Sequence, residues 1–294
     1  MKILLTGADG FTGRPFVRHA ESAGHEVIPL RADLTDPDAV SAEVGNAAPD
    51  AVVHLAAISF VGHANDGAFY AVNVVGTTNL LNALTRLAVP PRRVLLASSA
   101  NIYGNTATSP ISEAQPPAPV NHYGMSKLAM EYMARTYGDR LNLLITRPFN
   151  YTGPGQDANF LIPKLALHFA RCSESISLGN LDVEREFNDV QMVCDAYLEL
   201  LSVGEAGETY NICSGRPHAL RSVIEMLAKM TSHNPRIEVN PAFVRANEVH
   251  RLCGDPAKLH GLLARHGRTL AEPALEDTLR RMLAAAADQA KTSA

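Results

Sequence analysis

Tyr123 and Lys127 stand four residues apart in the stretch Tyr123-Gly124-Met125-Ser126-Lys127. On a helix this spacing puts both side chains on one face. A free phenol titrates at about 10, and a neighbouring ammonium favours the phenolate and lowers that value. A tyrosine tuned in this way passes a proton to or from a hydroxyl or a carbonyl. The alternative is an exposed helical tyrosine beside a solvated lysine. With 8 Tyr and 6 Lys in 294 residues, such a pair arises by chance roughly 0.16 times per chain, so its weight comes from the elements that position it.

Residues 2–6 read as a buried strand and residues 16–23 as a helix, with Gly7-Ala8-Asp9-Gly10-Phe11-Thr12-Gly13 between them. Glycines at 7, 10 and 13 suit a tight turn, a close approach of backbone to phosphate, and close helix–strand packing. The helix N-terminus behind the turn offers free N–H groups and a positive dipole end to an anion. The spacing is GxxGxxG rather than the simplest dinucleotide fingerprint, GxGxxG. Gly7, Gly10, Phe11, Thr12 and Gly13 are therefore candidate cofactor-binding residues.

Residues 25–30 form the second expected strand. An acidic residue at this strand's end usually holds a cofactor that lacks a 2′-phosphate. Here the end is Arg31, and Arg14 follows the glycine turn. Two arginines in these places suit the 2′-phosphate of NADP through forked hydrogen bonds, against the alternative of two solvated surface arginines. NADP(H) is thus the favoured cofactor, with NAD(H) admissible. Asp33 and Leu34 follow within reach of an adenine edge. The apolar stretch 51–57 reads as another strand, and its small end, Leu55-Ala56-Ala57, lets a cofactor lie close. His54 within it reads as a packed histidine rather than a catalyst.

Residues 68–87 have helical spacing and carry Asn73, and Pro90-Pro91 end the segment. Residues 93–98 form a strand leading into Ser99. A hydroxyl just beyond a strand's carboxyl end is where open parallel sheets hold ligands, so Ser99 is positioned to bond a reacting oxygen while Tyr123 moves the proton. The Pro- and Ser-rich loop 106–121 delivers the chain to the Tyr123 helix, and residues 141–147 form the next strand. Strands alternating with helices imply a doubly wound α/β parallel sheet, the Rossmann arrangement, with right-handed crossovers.

Composition bounds the partners. A net charge of −4, with 46% hydrophobic and 19% charged residues, is ordinary for a soluble globular chain. No basic run points to nucleic acid, and no apolar run is long enough to span a membrane. The cysteines Cys172, Cys194, Cys213 and Cys253 lack CxxC spacing and read as free thiols of a cytoplasmic protein. The 11 histidines show no paired ligand spacing, so no metal is expected.

The ordered set of glycine turn, Asp33-Leu34, His54-Leu55-Ala56-Ala57, Asn73-Val74-Val75-Gly76-Thr77, Ser99 and Tyr123–Lys127 resembles the extended short-chain dehydrogenase/reductase family of nucleotide-sugar epimerases, dehydratases and reductases. The likeness runs from residue 2 to about residue 260. It implies Tyr123 as acid/base, Lys127 as the residue that lowers its pKa and holds the nicotinamide ribose, and Ser99 as the orienting hydroxyl. It also implies Asn73 in the cofactor-contacting helix, against the alternative that it packs or caps that helix. The short path from Leu30 to Asp33 resembles smaller sugar-nucleotide reductases that drop a helix at this point. The resemblance further implies a homodimer through the helices beginning near residues 68 and 123.

By the same resemblance, residues 1–150 plus about 189–215 make the dinucleotide-binding domain, and about 151–188 and 216–285 a smaller α/β substrate domain. Asn150 in Arg147-Pro148-Phe149-Asn150 then meets the sugar nucleotide. Arg185 and Arg245 suit a nucleotide diphosphate through bidentate contacts, although structural ion pairing is the plainer use of arginine. Glu248 suits the ribose hydroxyls. The Ala-rich tail, 284–294, is expected to fray.

Within the family, these segments resemble most the reductases that move a hydride from NAD(P)H to C4 of a GDP-4-keto-6-deoxy-hexose, giving GDP-D-rhamnose or its C4 epimer. The family's dehydratases carry acidic residues after the serine for elimination across C5–C6; here Ala100 and Asn101 stand there, so a dehydratase is excluded. Asn101 also departs from many of the reductases. The run Ile102-Tyr103-Gly104 keeps a nucleotide-sugar 4-epimerase with retained NAD as the second enzyme reading. A non-catalytic NAD(P)-binding sensor or scaffold is the reading of another class.

Overall fold

The computed structural model describes residues 1–59, 65–241 and 249–292. The first half of the chain runs β1 (Lys2–Thr6), α1 (Gly13–Ser22), β2 (Glu26–Leu30), α2 (Pro37–Ala47), β3 (Ala51–His54), α3 (Asp66–Tyr70), a π-helical stretch (Ala71–Gly76), α4 (Thr77–Thr85), β4 (Arg93–Ala97), α5 (His122–Arg135) and β5 (Leu143–Pro148). The second half runs β6 (Tyr151–Thr152), α6 (Leu161–Ala170), β7 (Ser175–Leu178), β8 (Glu184–Arg185), β9 (Asn188–Asp189), α7 (Val190–Val203), β10 (Thr209–Ile212), β11 (His218–Ala219), α8 (Leu220–Thr231), β12 (Arg236–Val239), β13 (Arg251–Leu252), α9 (Ala257–Arg265) and α10 (Leu275–Thr292).

Six strands form one parallel sheet in the order β10-β5-β4-β3-β1-β2. Its strands are apolar on both faces because both are covered, as parallel sheets require. Side chains alternate between the faces. Ile3, Leu5, Val53, Leu95 and Leu144 join a core with α1, α7 and α9. Leu4, Val52, Val94, Leu96 and Leu143 join a second core with α2, α4 and α5. This is the doubly wound sheet that the alternation of elements predicts.

Three expectations need correction. The helix expected to be dropped between the second and third strands is present as α2. Asp36 caps it, accepting from the N–H groups of Asp38 at 3.1 Å and Ala39 at 3.0 Å. Pro37 fits the first turn, where no N–H is needed. The expected helix 68–87 is interrupted by the π-helical stretch that holds Asn73. The tail expected to fray from residue 284 is placed in α10 as far as Thr292, where the Ala run is a strong helix former.

A third apolar cluster lies apart from the main sheet, built from α6, β7, α8 and α10 through Leu165, Phe169, Ile176, Val223, Leu227 and Leu279. Helix α9, inside the span expected for the second unit, instead packs Leu259, Leu262 and Leu263 on the main core. The two parts meet where β6 pairs with β9. Asp189, at the end of β9, caps α7 through the Gln191 N–H at 2.8 Å. It also accepts from Thr278 at 2.5 Å and pairs with Arg281, both on α10. No helix among the described residues is long and apolar enough to cross a membrane.

Behind the C-terminal edge of the sheet, Arg147 of β5 and Glu131 of α5 form a bidentate pair, at 3.0 Å and 2.6 Å, with side chains only 7% and 2% exposed. Tyr103 accepts a further hydrogen bond from Arg147 at 3.0 Å and donates to Asn211 at 2.7 Å. Removing one partner strands the other charge in the core. Glu131→Ala is expected to lower stability by about 3–5 kcal/mol, read by urea unfolding. A loss below about 1 kcal/mol would mean that the guanidinium reaches water.

Candidate active site

Strand order reverses at β1, with β2 on one side and β3 on the other. Open α/β sheets bind ligands in the crevice at such a switch point. The turn after β1 and the segment after β3 line it. The Leu55 and Ala56 N–H groups donate to the Thr6 hydroxyl at 3.1 and 3.0 Å, drawing the two segments together. Gly7, at φ 72°, lies so close that a Cβ would stand 2.8 Å from the Ala56 nitrogen. A Cβ on Gly13 would stand 2.1 Å from the Gly7 carbonyl oxygen. The Gly10 N–H closes the turn on that carbonyl at 3.0 Å. The turn is thus a tightly closed glycine-rich backbone cradle at the N-terminus of α1, the kind of place where free N–H groups can receive an anion.

Around it, Phe11 stacks on Tyr151 with ring centroids 5.8 Å apart, and the Thr12 and Tyr151 hydroxyls are 2.8 Å apart. Tyr151 was not singled out from the sequence, since nothing in its neighbourhood marks it before β6 is folded against the turn. Arg14 donates through Nε to the Asp9 carbonyl at 2.8 Å, and Arg31 reaches the Asp9 carboxylate at 2.9 Å. Both arginines therefore gather at the turn. Asp33 accepts from the Thr35 N–H and hydroxyl, each at 2.8 Å, which holds its carboxyl below the usual range. Leu34 is buried under Gly76, where a Cβ would meet the Leu34 Cβ at 2.8 Å. Ala57 is half-buried beyond Ala56.

Asn73 is fully buried. It accepts from the Ile58 N–H at 3.0 Å and donates to the Ile58 carbonyl at 3.1 Å and the Ser126 hydroxyl at 3.0 Å. It thus ties the segment after β3 to the helix that carries Tyr123 and Lys127. His54 is held on both ring nitrogens, by Thr6 at 2.7 Å and Thr77 at 2.8 Å, and burial pushes its pKa down to about 3. It is the neutral, packed histidine expected.

The start of α5 is capped by Asn121, which accepts from the Gly124 N–H at 2.8 Å. Tyr123 and Lys127 are both buried one helical turn apart. The Lys127 ammonium donates to the Ala97 carbonyl at 2.7 Å, at the end of β4. Two residues later comes Ser99, close enough to the Tyr123 phenol to act on its pKa, which it lowers. The Ser99 oxygen accepts from the Asn101 N–H and side-chain amide, both at 3.1 Å. With both acceptor positions filled, the remaining valence of this hydroxyl is its own proton. Ser99 is set as a donor.

The electrostatics correct one expectation. Tyr123 is not lowered by Lys127. Burial raises it to about 12, against a lowering by the Ser99 hydrogen bond. Lys127 itself is pushed down to about 8 by burial, partly offset by Glu131. The physical reason is that removal from water penalises both charged forms, while the ammonium is directed to a carbonyl rather than to the phenol.

The residues expected to grip a substrate are more dispersed. Asn150 is half-buried, and its carbonyl accepts from the Asn188 N–H at 2.9 Å. Arg185 donates to the carbonyls of Glu184 and His250, each at 2.9 Å, and to that of Val249. Arg245 and Glu248 lie outside the described residues.

The depressed Lys127 pKa has a consequence for stability. Between pH 8 and 10.5 the unfolded chain, with lysine at its ordinary 10.5, binds the proton that the folded chain has released. Stability from this group therefore rises with pH across that window. Against a Lys127→Met variant, the wild type is expected to gain stability from pH 8 to 10, read by urea midpoints. A constant difference between the two would contradict the shift.

The sequence profile of the family described as GDP-mannose 4,6 dehydratase matches residues 17–272. The chain is 39% identical over 269 residues to GDP-6-deoxy-D-talose 4-dehydrogenase of Aggregatibacter actinomycetemcomitans, covering 90% of this chain and 91% of that one. It is 37% identical over 275 residues to GDP-6-deoxy-D-mannose reductase of Pseudomonas aeruginosa, covering 88% and 90%. Among solved structures, RMD from Pseudomonas aeruginosa complexed with NADPH superposes with a TM-score of 0.90 at 34% identity, covering 98% of this chain and 99% of that one. With a family match across most of its length and such relatives over about nine-tenths of it, this chain belongs to the GDP-mannose 4,6 dehydratase family of extended short-chain dehydrogenase/reductases.

Proposed function

We propose that the protein is an NAD(P)H-dependent reductase of a GDP-linked 4-keto-6-deoxy-hexose, acting at C4. The observation that carries the reading is the buried Ser99–Tyr123–Lys127 constellation beside the cradle at the switch point. Tyr123, with a pKa near 12, remains a protonated phenol at neutral pH. That is the form required to give a proton to an alkoxide as a ketone is reduced. Ser99, set as a donor by Asn101, bonds the same oxygen where negative charge develops. The Lys127 ammonium, directed to the Ala97 carbonyl at the end of β4, is read as the group that positions this part of α5 and holds the ribose.

The cradle of Gly7, Gly10, Phe11, Thr12 and Gly13 fits a pyrophosphate, and Arg14 with Arg31 fits a 2′-phosphate. Asp33, Leu55, Ala56 and Ala57 are read along the rest of the nucleotide's path, with Leu34 and Asn73 packed behind it as supports, and Lys127 is read to hold the ribose. When bound there, NADPH, or NADH as the second choice, supplies the hydride. The relatives' names support a GDP-sugar substrate. Asn150, Arg185, Arg245 and Glu248 are read as its contacts, where the main sheet meets a substrate-binding part formed by residues 151–188 and 216–285 apart from α9, which packs on the main core. Asn101 favours reduction over elimination, since an amide cannot take the C5 proton that a dehydratase must remove. The two relatives' names differ in the C4 configuration, so this chain's product is GDP-D-rhamnose or its talo epimer according to which face of the ketone meets the nicotinamide.

A second copy of the chain is read to pair on the face of α5 and the π-helical stretch, where Met125, Tyr132 and Val75 are 44%, 62% and 52% exposed. The cytoplasm is the expected compartment, in keeping with four free thiols.

The direct test is NADPH or NADH oxidation at 340 nm with GDP-, dTDP- and UDP-linked 4-keto-6-deoxy sugars. Oxidation with the GDP sugar alone is expected, and NMR of the product names the epimer. No oxidation with any of them, together with tightly retained NAD⁺, would give the site to a 4-epimerase. Tyr123→Phe is expected to lower turnover at least about 10²-fold; turnover within a few-fold of wild type would remove Tyr123 from the chemistry.

A further inference from the structure

Asp9 is the second residue after Gly7, at the exposed lip of the cradle. Its carboxylate takes Arg31 Nη1 at 2.9 Å, with the two side chains 82% and 66% exposed. Its carbonyl takes Arg14 Nε at 2.8 Å. One residue of the turn therefore engages both arginines that favour a phosphorylated nucleotide. Arg31 is further fixed at its backbone, where its N–H donates to the Glu43 carboxylate at 2.7 Å. Its guanidinium, by contrast, has this exposed carboxylate as its anionic partner.

We propose that Asp9 is the specificity-determining residue that limits the preference for NADP(H) over NAD(H), by competing with the 2′-phosphate for Arg31. The inference rests on the proposed cofactor site and deepens it. A phosphate monoester and a carboxylate present the same kind of anionic oxygens to a guanidinium fork. Nη1 has two protons to share, but two anions drawn to the same guanidinium repel each other, so each weakens the hold of the other. The phosphate carries the greater charge, about −1.5 to −2 at neutral pH, and wins the exchange. The competitor nevertheless weakens its binding by whatever the Asp9–Arg31 pair was worth. An ion pair this exposed is weak, so the penalty is a few-fold and not orders of magnitude. NAD(H) has no group that needs Arg31 released. Asp9 therefore narrows the gap between the two cofactors, and its carbonyl keeps Arg14 at the turn whatever its side chain.

The test is calorimetric binding of NADP⁺ and of NAD⁺ to the full chain, without sugar substrate, in the wild type, Asp9→Asn, Arg31→Ala and the double variant. Asp9→Asn is expected to tighten NADP⁺ about twofold to fivefold, with NAD⁺ unchanged within twofold. The gain should shrink as salt rises from 20 to 500 mM, because an exposed charge pair is screened. In the Arg31→Ala background the same substitution should leave the NADP⁺ to NAD⁺ ratio unchanged, which places the effect on Arg31. Equal movement of both dinucleotides in Asp9→Asn would make Asp9 a part of the turn's structure and overturn the proposal. So would a gain that persists without Arg31. Binding of neither dinucleotide to the wild type would overturn the cofactor site itself, an outcome distinct from wild-type binding with an unmoved ratio.

Discussion

The Lys127 ammonium, 3% exposed, donates to the Ala97 carbonyl at 2.7 Å, and this contact sets where α5 lies against the edge of the sheet. Burying a charge without compensation is costly. Here a backbone carbonyl at the end of β4 and the nearby Glu131 offset part of that cost. The remainder appears as a lysine held near 8. Because the anchor lies two residues before Ser99, holding Lys127 there also brings Ser99 to Tyr123. Asn73 braces the same helix from the other side through Ser126, whose hydroxyl donates to the Tyr123 carbonyl at 2.8 Å. The candidate reacting groups are thus held by contacts that reach the ends of two strands, β4 through Ala97 and β3 through Ile58, which is how a site is kept in register.

The same burial decides which proton chemistry is ready at rest. A phenol near 12 and an ammonium near 8 are both biased toward their neutral forms. At neutral pH the phenol is an acid with its proton in place. This is the form needed to protonate the oxygen of a ketone as it is reduced. Asn101, where the family's dehydratases carry an acid, works in the same direction by leaving Ser99 a donor.

The cofactor turn and the outlying apolar cluster are joined through few residues. Tyr151 begins β6 and stacks on Phe11 of the turn, while β6 pairs with β9, which ends at Asp189. Asp189 caps α7 in the main core and binds Thr278 of α10 in the outlying one. A chain of short contacts therefore runs from the glycine turn to the helix that closes the molecule. Asn150, next to Tyr151, stands on this route.

The alternation of apolar strands with helical segments, the GxxGxxG turn and the order of the motifs were enough to determine the doubly wound sheet and the family, because periodicity and glycine geometry are local properties. The packed state of His54 was legible for the same reason, as it lies inside an unbroken apolar strand. Helix α2 was also marked locally, by Asp36-Pro37, though the short path after β2 obscured it. What only the tertiary structure decided depends on neighbours distant in sequence. Tyr123 is raised rather than lowered because burial acts on it and Lys127 turns to Ala97, 30 residues away. Arg31 meets Asp9 because β1 and β2 lie side by side, and Tyr151 meets Thr12 across 139 positions. Spacing along a chain fixes which groups share a helix face; the dielectric and the partner that each group finds there are fixed only by folding.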